Sequence, residues 1–312
     1  MKEIEILSTG SFYPPAFELM ERDFTVHKLW QAEDRDALLT EVSGRIRGIQ
    51  AMPANRTDAE LMDALPKLEI ISCFGVGVDG VDLEAARQRG VTVTNTPDVL
   101  NECVADLAMG LTVATVRRMS LGDRFVRAGG WLKGEFPLAQ KVGGKTMGIL
   151  GYGRIGKAIA KRAEAFGMRI AYHGRKPQAG VVHKYYANLA EMARDCDVLM
   201  VICPGGAATR HIVNAEVLKA LGPEGTLINV ARGSVVDEQA LVKALADGSL
   251  GAAGLDVYES EPRVPEALFG MDHVVLLPHV ASATHETRMA MGVLTADNLR
   301  AHFAGKPVLT PV

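Results

Sequence analysis

The sequence predicts an α/β protein with two domains, each a doubly wound parallel sheet. Short apolar runs alternate with helical patterns along most of the chain, which is typical of βαβ units with parallel strands. The chain has 312 residues, about the length of two domains. A glycine-rich turn at 151–156 follows an apolar run near the middle of the chain, within a second alternating series.

The first series of elements occupies the N-terminal hundred residues. Its apolar residues concentrate in short runs that we predict as strands at 4–7, 26–29, 46–52, 68–74 and 91–94. A helix is predicted at Asp58–Leu65, with acidic residues in its first turn, where the helix dipole favours them. A second is predicted at Leu83–Arg89, which stops at Gly90, a residue type common after a helix C-terminus.

Thr96-Pro97-Asp98 interrupts this alternation. A long apolar-periodic helix is then predicted from Val99 to about Ala128, followed by Gly129-Gly130-Trp131. At roughly 30 residues it would exceed most globular helices. A helix of this kind, ending in a loop with an exposed tryptophan, often marks a domain joint or a subunit interface.

The second series begins at Lys145. Strands are predicted at 146–150, 169–173, 198–203, 226–230, 254–257 and 274–277, with helices at 154–166 and 238–246 among those between them. The tail at 282–303 is helical, and periodicity alone does not decide which domain it packs against.

Composition excludes several classes of protein. The 34 Lys and Arg nearly balance the 37 Asp and Glu, giving a formal net charge of −3, which argues against nucleic-acid or membrane-surface binding. No apolar run approaches the ~20 residues of a spanning helix, and the first residues lack a signal-peptide pattern. The four cysteines form no C-x-x-C pair, so we expect reduced thiols in a cytoplasmic protein, and we predict no metal site.

A G-x-G-x-x-G motif lies between a predicted strand and a predicted helix. Its first glycine permits a tight turn, the second lets the backbone approach a pyrophosphate, and the third lets the helix pack closely on the strand. The helix N-terminus adds amide donors. We predict a dinucleotide site there, and the alternative is an ordinary turn without a ligand. The motif consists of Gly151, Tyr152, Gly153, Arg154, Ile155 and Gly156.

The turn after the next strand bears on which nicotinamide cofactor is used. An NAD site usually has an acid there, about 20 residues after the glycines, for the ribose 2′-hydroxyl. This chain instead has His173, Gly174, Arg175 and Lys176. Arginine and lysine pair with a 2′-phosphate, which an acid would repel. We therefore predict NADPH over NADH, and the alternative is a basic turn that only contacts solvent.

Three charged or titratable residues follow predicted strands of the second series. Arg232, Glu261 and His279 would converge at the carboxyl edge of the sheet, where ligands of such folds bind. A histidine held charged by a carboxylate can donate a proton to a carbonyl that accepts a hydride, and an arginine can bind a neighbouring carboxylate. The trio therefore predicts a 2-oxo acid reductase, although each residue taken alone is more often structural. Asp256 either contacts the nicotinamide amide or caps the next segment.

These residues occur in a set of motifs that is similar to one known family. The chain resembles the D-isomer-specific 2-hydroxyacid dehydrogenases, in particular the glyoxylate/hydroxypyruvate reductase branch. Besides the glycine motif, the matching stretches are 75–79 (GVGVD), 95–100 (NTPDVL), 104–107 (VADL), 229–233 (NVARG), 255–257 (LDV), 261–262 (EP) and 278–282 (PHVAS). Their order along the chain is far more specific than the glycine motif alone.

The resemblance implies roles for individual residues. Arg232 would bind the substrate, Glu261 and His279 would be the paired acid and acid/base histidine, and the amides of Val76 and Gly77 would bind the substrate carboxylate. Met52 lies beside that loop and either lines the side-chain pocket or belongs to the core. Further cofactor contacts are expected from the ends of the later strands, at Cys203, Pro204, Thr209, Val230, Ala231, Arg232, Asp256 and His279.

The resemblance also implies an architecture of two Rossmann-like domains. Residues 1–98 with 282–312 would form the substrate-binding domain and 99–281 the dinucleotide-binding domain, with the active cleft between them. Family members are commonly homodimers with the long helix and its following loop at the interface. In this branch a tryptophan of the neighbouring subunit can reach the active site. Trp131 is the candidate, and the alternative is a tryptophan that only packs at the interface or on the surface.

Other functions remain open at this point. A same-class alternative reduces larger, aromatic 2-oxo acids such as hydroxyphenylpyruvate. A different alternative is a dinucleotide-sensing interaction protein, like the corepressors that share the fold, which would bind NADPH without turnover. An adenosylmethionine enzyme is disfavoured, because its cofactor has no 2′-phosphate for the basic turn to bind.

Many family members continue Leu-Thr after the equivalent of Cys203-Pro204, whereas this chain has the more flexible Gly205-Gly206.

Overall fold

The computed structural model describes residues 2–312. They form two compact units. Unit 1 contains the residues up to Leu100 together with Ser282–Val312, and unit 2 contains Asn101–Ala281. No helix among residues 2–312 is long and apolar enough to cross a membrane.

The described residues contain twelve β-strands and eleven α-helices. The strands are β1 (Glu5–Ser8), β2 (Thr25–Lys28), β3 (Ile46–Ala51), β4 (Ile70–Cys73), β5 (Thr92–Thr94), β6 (Thr146–Leu150), β7 (Arg169–His173), β8 (Lys184–Tyr186), β9 (Val198–Val201), β10 (Thr226–Asn229), β11 (Ala252–Leu255) and β12 (Val274–Leu276). The helices are α1 (Pro14–Asp23), α2 (Arg35–Val42), α3 (Ala59–Asp63), α4 (Leu83–Gln88), α5 (Asn101–Val116), α6 (Met119–Arg127), α7 (Arg154–Ala165), α8 (Leu189–Asp195), α9 (Ala215–Leu221), α10 (Glu238–Ala246) and α11 (His285–Phe303).

Each unit is built on one parallel sheet, as predicted. Unit 1 has the strand order β2-β1-β3-β4-β5 and unit 2 the order β12-β11-β10-β9-β6-β7-β8. In unit 2 the order reverses between β6 and β9, which is the point where ligands of doubly wound sheets bind. The buried central strands explain the continuous apolar runs, because helices cover both faces of a parallel sheet.

Side chains that cap helix N-termini set most of the helix starts. In seven helices an Asp, Asn or Thr accepts hydrogen bonds from first-turn amides that have no partner inside the helix. These caps are Asp34, Asp58, Asp82, Asn188, Asn214, Asp237 and Thr284. Helix α7 has neither a side-chain cap nor an acidic residue in its first turn.

The prediction of one long helix from Val99 to Ala128 is wrong. Helix α5 ends at Val116 and α6 begins at Met119, because Arg118 adopts a left-handed conformation with φ 52°. Helix α5 packs on β11, where Gly254 has no room for a side chain beside Leu111. Helix α6 has no buried residue. The apolar period continues through both helices, so the sequence did not show where the chain leaves the core.

The tail helix α11 packs within unit 1, which periodicity alone left undecided. Ser72 of β4 donates a hydrogen bond to the carbonyl of Thr295 at 3.0 Å. The strands that we predicted are present, and most of their ends lie one or two residues from the predicted ends. The short edge strand β8 was missed, since its three residues carry little apolar signal.

Candidate active site

His279, Glu261 and Arg232 each follow a strand of unit 2. Arg232 comes three residues after β10, Glu261 lies in the loop after β11, and His279 follows β12. These three strands are adjacent and parallel, so their carboxyl ends meet at one edge of the sheet. The glycine motif follows β6 at the same edge.

The structure joins His279 directly to Glu261. The ring Nδ1 of His279 lies 2.7 Å from Glu261 Oε2, while Glu261 Oε1 accepts a hydrogen bond from the Tyr258 amide at 3.1 Å. An ionised carboxylate can only accept, so Nδ1 carries a proton and Nε2 is the ring nitrogen left for other partners. The His279 side chain is about half exposed, which leaves it accessible to a ligand.

The Glu261 carboxyl is kept ionised by its neighbours. Its partial burial by itself would raise the pKa, but the hydrogen bond and charge of His279, the Tyr258 amide and the charge of Arg232 bring the pKa below the ordinary 4.5. The pair therefore places an ionised carboxylate against the imidazole at the edge of the sheet.

Asp256 fixes the backbone that carries His279. Its side chain has no exposed surface, and its two oxygens accept hydrogen bonds from the amides of Val280 and Ala281 at 2.8 and 2.9 Å. Its carbonyl accepts from the His279 amide at 2.8 Å. His279 itself has φ 53°, a conformation that costs a non-glycine residue energy and persists only where surrounding contacts impose it.

The sequence left open that Asp256 caps the segment directly after it, whereas its carboxylate accepts from the amides of Val280 and Ala281. Burial raises the pKa of this carboxyl, and the Val280 and Ala281 amides oppose that effect. A contact between Asp256 and a nicotinamide amide stays a prediction.

Arg232 is placed beside Glu261 by the turn that follows β10. A Cβ on the next residue, Gly233, would overlap the backbone of Tyr258 and Glu259, so the glycine lets the two loops touch. The Arg232 side chain is half-buried and donates to the Ala231 carbonyl at 2.7 Å, and its charge contributes to the lowered pKa of Glu261. Val230 and Ala231 are buried, so they can contact a ligand only through the backbone or a small exposed edge.

The glycine motif has the local geometry of a phosphate cradle. Gly151 has φ 104°, and a Cβ there would lie 2.5 Å from the Cys203 amide nitrogen. A Cβ on Gly156 would overlap the Gly151 carbonyl, whereas one on Gly153 would meet open space. Because α7 starts at Arg154 without a cap, its first amides and its dipole are available to an anion. These features fit a dinucleotide pyrophosphate.

Two residues of the motif face the core. The Tyr152 ring is buried, with its centroid 4.6 Å from that of Tyr172, and its carbonyl accepts a hydrogen bond from Gln178 at 2.7 Å. The Ile155 side chain packs against the same core. Any contact that these two residues make with a cofactor would involve their backbone atoms.

The turn after β7 fits a 2′-phosphate. Arg175 and Lys176 are exposed, and the turn contains no acid. His173 is anchored, since its Nδ1 lies 2.9 Å from the Tyr186 carbonyl, and the Gly174 carbonyl accepts from the Tyr185 hydroxyl at 3.1 Å. The anchored strand end would hold the two cations in place for a dianion.

The loop after β9 contains contacts that the sequence did not indicate. Glu259 Oε1 lies 2.7 Å from Arg210 and 3.0 Å from His211, so this loop is tied to the segment that carries Glu261. The Thr209 hydroxyl donates to the Pro204 carbonyl at 2.7 Å. In the sequence these residues appear only as an Arg-His pair and a second glutamate two residues before Glu261. Their spacing does not show that they are in contact.

Cys203 of the same loop is buried as a neutral thiol. Burial raises the pKa of its thiol to about 11. A neutral thiol is a weak nucleophile and a weak hydrogen-bond partner. Cys203 therefore closes the turn against Gly151 and takes no part in proton transfer.

In unit 1, Val76 and Gly77 lie in the loop after β4, and both are half-buried. Among residues 2–312, the amides of Val76, Gly77 and Val78 donate no hydrogen bond to the protein. Successive unpaired amides of this kind form an anion-binding nest. Met52 follows β3, is half-buried, and has its amide bonded to the Thr9 hydroxyl at 3.0 Å.

Trp131 lies in a short 3₁₀ turn of unit 2, Gly130–Leu132, and is 72% exposed.

Among the residues described, no group of three His, Cys, Asp or Glu side chains is arranged to hold a metal ion.

Comparisons with known proteins identify the family. The family model described as "D-isomer specific 2-hydroxyacid dehydrogenase, NAD binding domain" matches residues 109–281, more than half of the chain. The chain belongs to the D-isomer-specific 2-hydroxyacid dehydrogenases. The predicted family is thereby confirmed, and with it the fold class and a nicotinamide dinucleotide as the cofactor.

Several relatives resemble the chain over nearly its whole length. Glyoxylate/hydroxypyruvate reductase A of Arabidopsis thaliana is 51% identical over 293 residues, with 94% of each chain covered. Hydroxyphenylpyruvate reductase of Plectranthus scutellarioides is 51% identical over 294 residues, again with 94% of each covered. The structure of an NADPH-dependent glyoxylate/hydroxypyruvate reductase from Sinorhizobium meliloti, in complex with NADP and malonate, matches with a TM-score of 0.94 and 48% identity, covering 99% of this chain and 97% of that one.

The lowered pKa of Glu261 makes a prediction about stability. A carboxyl whose pKa is lower in the folded state stabilises the fold above its unfolded value, here 4.5, and this contribution is lost as the pH falls through the folded value. We expect Glu261→Gln to lower the free energy of unfolding more at about pH 6 than at about pH 3.5. Urea unfolding at both pH values measures this difference. The exposed Glu18→Gln serves as the control, and an equal effect of Glu261→Gln at the two pH values would contradict the assignment.

Proposed function

We propose that this protein reduces a small 2-oxo acid, glyoxylate or hydroxypyruvate, to the 2-hydroxy acid with NADPH. The observation that carries this proposal is the 2.7 Å contact between His279 and Glu261, with Arg232 beside it, at the edge of the sheet that also carries the glycine motif. The names of the relatives support the same substrates.

His279 is the proton donor in this proposal. Bound NADPH supplies the hydride that reduces the substrate carbonyl. The His279 Nε2–H gives its proton to the oxygen on which negative charge develops, and Glu261 holds the imidazole in orientation through Nδ1 and stabilises its charged form. In the oxidative direction the neutral Nε2 accepts the hydroxyl proton.

Hydrogen-bond donors hold the carboxylate of the substrate. The Arg232 guanidinium pairs with it and draws electron density from the neighbouring carbonyl. The amides of Val76 and Gly77 also donate to it, as the family resemblance implies. A 2-oxo acid needs such donors, because its carboxylate would otherwise lose its hydration without compensation.

The cofactor is held by unit 2. First-turn amides of α7 and the glycine motif bind the pyrophosphate, and Arg175 and Lys176 bind the 2′-phosphate. The side of the site toward the nicotinamide is formed by the strand-end residues Cys203, Pro204, Thr209, Val230, Ala231 and Asp256. With Arg175 and Lys176 in place of an acid, we infer a preference for NADPH over NADH.

A second candidate substrate is an aromatic 2-oxo acid such as hydroxyphenylpyruvate. The chain is as similar to the hydroxyphenylpyruvate reductase as to the glyoxylate/hydroxypyruvate reductase. Met52 stays a candidate for the pocket wall that would distinguish a small substrate side chain from a large one. The four cysteines form no disulfide bond with one another, which supports action in a reducing compartment such as the cytoplasm.

A substrate panel tests the proposed function. With NADPH we expect turnover of glyoxylate or hydroxypyruvate above that of pyruvate and hydroxyphenylpyruvate. We expect His279→Gln to lower kcat by about 10²- to 10⁴-fold, while NADPH still binds. Absorbance of NADPH measures turnover, and its fluorescence measures binding. NADPH binding without turnover of any 2-oxo acid would contradict the proposal and favour a dinucleotide sensor, whereas a preference for hydroxyphenylpyruvate would favour the second candidate.

The cofactor preference is tested at Arg175. We expect Arg175→Asp to raise the KM for NADPH by about 10- to 100-fold, because a charge-assisted hydrogen bond is lost and a repulsion is introduced. The KM for NADH should stay the same or fall. Steady-state kinetics with both cofactors measure the change, and Lys219→Asp on α9 provides a matched change of net charge. Equal use of NADPH and NADH by the unmodified protein would refute the preference.

We further infer a homodimer. Several exposed apolar side chains lie close together in the sequence, within residues 119–138, at Met119, Val126, Trp131, Leu132 and Leu138, and exposed apolar surface often marks an interface. In sedimentation analysis at micromolar concentration we expect the unmodified protein to have twice the chain mass, and Leu132→Glu to shift it toward the monomer. Val182→Glu is the control, since Val182 is as exposed, at 93% against 94% for Leu132. A monomeric unmodified protein would rule out the homodimer.

A further inference from the structure

The loop of unit 1 that carries Val76 and Gly77 is held from behind by two hydrogen bonds. The Asn95 side-chain Nδ2 donates to the Val76 carbonyl at 2.8 Å. The Thr96 amide donates to the Gly75 carbonyl at 2.9 Å. Both donors belong to the segment that directly follows β5.

These two bonds set the direction of the amides that the proposed function assigns to the substrate. The carbonyl of one residue and the N–H of the next belong to the same rigid peptide plane, and in a trans peptide they point in opposite directions. The Gly75–Val76 and Val76–Gly77 peptides are trans. Fixing the Gly75 carbonyl therefore fixes the Val76 N–H, and fixing the Val76 carbonyl fixes the Gly77 N–H.

Asn95 is in turn held by Thr310. The Thr310 hydroxyl donates to the Asn95 carbonyl at 2.6 Å, and the Asn95 amide donates to the Thr310 carbonyl at 3.3 Å. The two residues are 215 positions apart in the chain. Thr310 thus anchors the backbone of Asn95 on both sides of its Cα, which limits where the side chain can reach.

Asn298 of α11 anchors Thr310. Its side chain is completely buried, and its Oδ1 accepts from the amides of Leu309 and Thr310 at 2.9 and 3.1 Å. Its Nδ2 donates to the Thr310 hydroxyl oxygen at 2.8 Å. The segment then continues along the edge strand β5, where the Val312 amide donates to the Val93 carbonyl at 2.9 Å.

We propose that Asn95 and Thr310 are positioning residues for the substrate carboxylate. Through the peptide plane that Asn95 holds, Thr310 keeps the Gly77 N–H pointed toward the place of an incoming carboxylate. This inference rests on the proposed function, because it concerns the binding of a 2-oxo acid. It gives the residues after α11 a role in positioning the substrate carboxylate. These residues touch no charged or titratable group of the proposed mechanism.

Threonine and asparagine variants separate positioning from a general effect on folding. Thr310→Val removes the hydroxyl and keeps the shape, and Thr310→Ser keeps the hydroxyl. Asn95→Ala removes the bond to Val76 directly. Thr112→Val is the matched control, because Thr112 is a buried threonine of unit 2 whose hydroxyl bonds only to a backbone carbonyl, that of Ala108 at 2.8 Å.

Two readouts are measured. Steady-state kinetics give kcat and KM for glyoxylate and the KM for NADPH. Calorimetry of the NADPH-loaded protein gives the affinity for oxalate, a carboxylate analogue that is not turned over. We expect Thr310→Val to raise the KM for glyoxylate and the Kd for oxalate about fivefold, and Asn95→Ala to raise them about tenfold, the scale of one hydrogen bond. The KM for NADPH should change less than about twofold, and Thr310→Ser should match the unmodified protein.

The outcomes distinguish this inference from the proposed function. If the unmodified protein turns over glyoxylate but Thr310→Val leaves its KM and the oxalate affinity unchanged, positioning by Thr310 is wrong while the function stands. The same holds if Thr310→Val and Thr112→Val lower the melting temperature alike and neither changes the KM. If the unmodified protein turns over no 2-oxo acid, the proposed function has failed and this inference falls with it.

Discussion

The hydrogen bond between His279 Nδ1 and Glu261 Oε2 is the contact on which the proposed chemistry depends. It leaves Nε2 as the ring nitrogen for other partners, and it places an ionised carboxylate against the imidazole. The charge of Arg232 helps to lower the pKa of the same carboxyl. Without the carboxylate, the His279 ring would lose the hydrogen bond that orients it.

Residues around this pair maintain the arrangement. Asp256 binds the two amides that follow His279 and holds that residue at a positive φ. Gly233 lets the Arg232 turn touch the loop after β11, and Glu259 ties the same loop to Arg210 and His211. Three loops that follow different strands are thus connected through backbone contacts and buried or half-buried polar side chains. A parallel sheet brings such loops to one edge, and these contacts then fix their relative positions.

Each unit has a group of backbone amides that is a candidate for anion binding. In unit 2 these amides belong to the first turn of α7, which begins after Gly153 and has no side-chain cap. In unit 1 they belong to Val76, Gly77 and Val78, in a loop whose carbonyls are held from the opposite side by Asn95 and Thr96. Amide donors suit carboxylates and phosphates because they bring no charge that must be neutralised when the ligand leaves.

The sequence by itself determined the parallel α/β class, the glycine motif, the basic turn at Arg175 and the identity of the residues after β10, β11 and β12. These follow from local patterns: hydrophobic period, glycine spacing, and the chemistry of a residue that directly follows a strand. Only the tertiary structure decided that His279 touches Glu261, that Asp256 caps the 279–281 segment, that the Tyr152 ring is buried, that the helix after Val99 breaks at Arg118, and that Thr310 reaches Asn95. Each of these depends on contacts between residues far apart in the chain or on where a helix leaves the core, and neither distance nor packing is encoded in a local pattern.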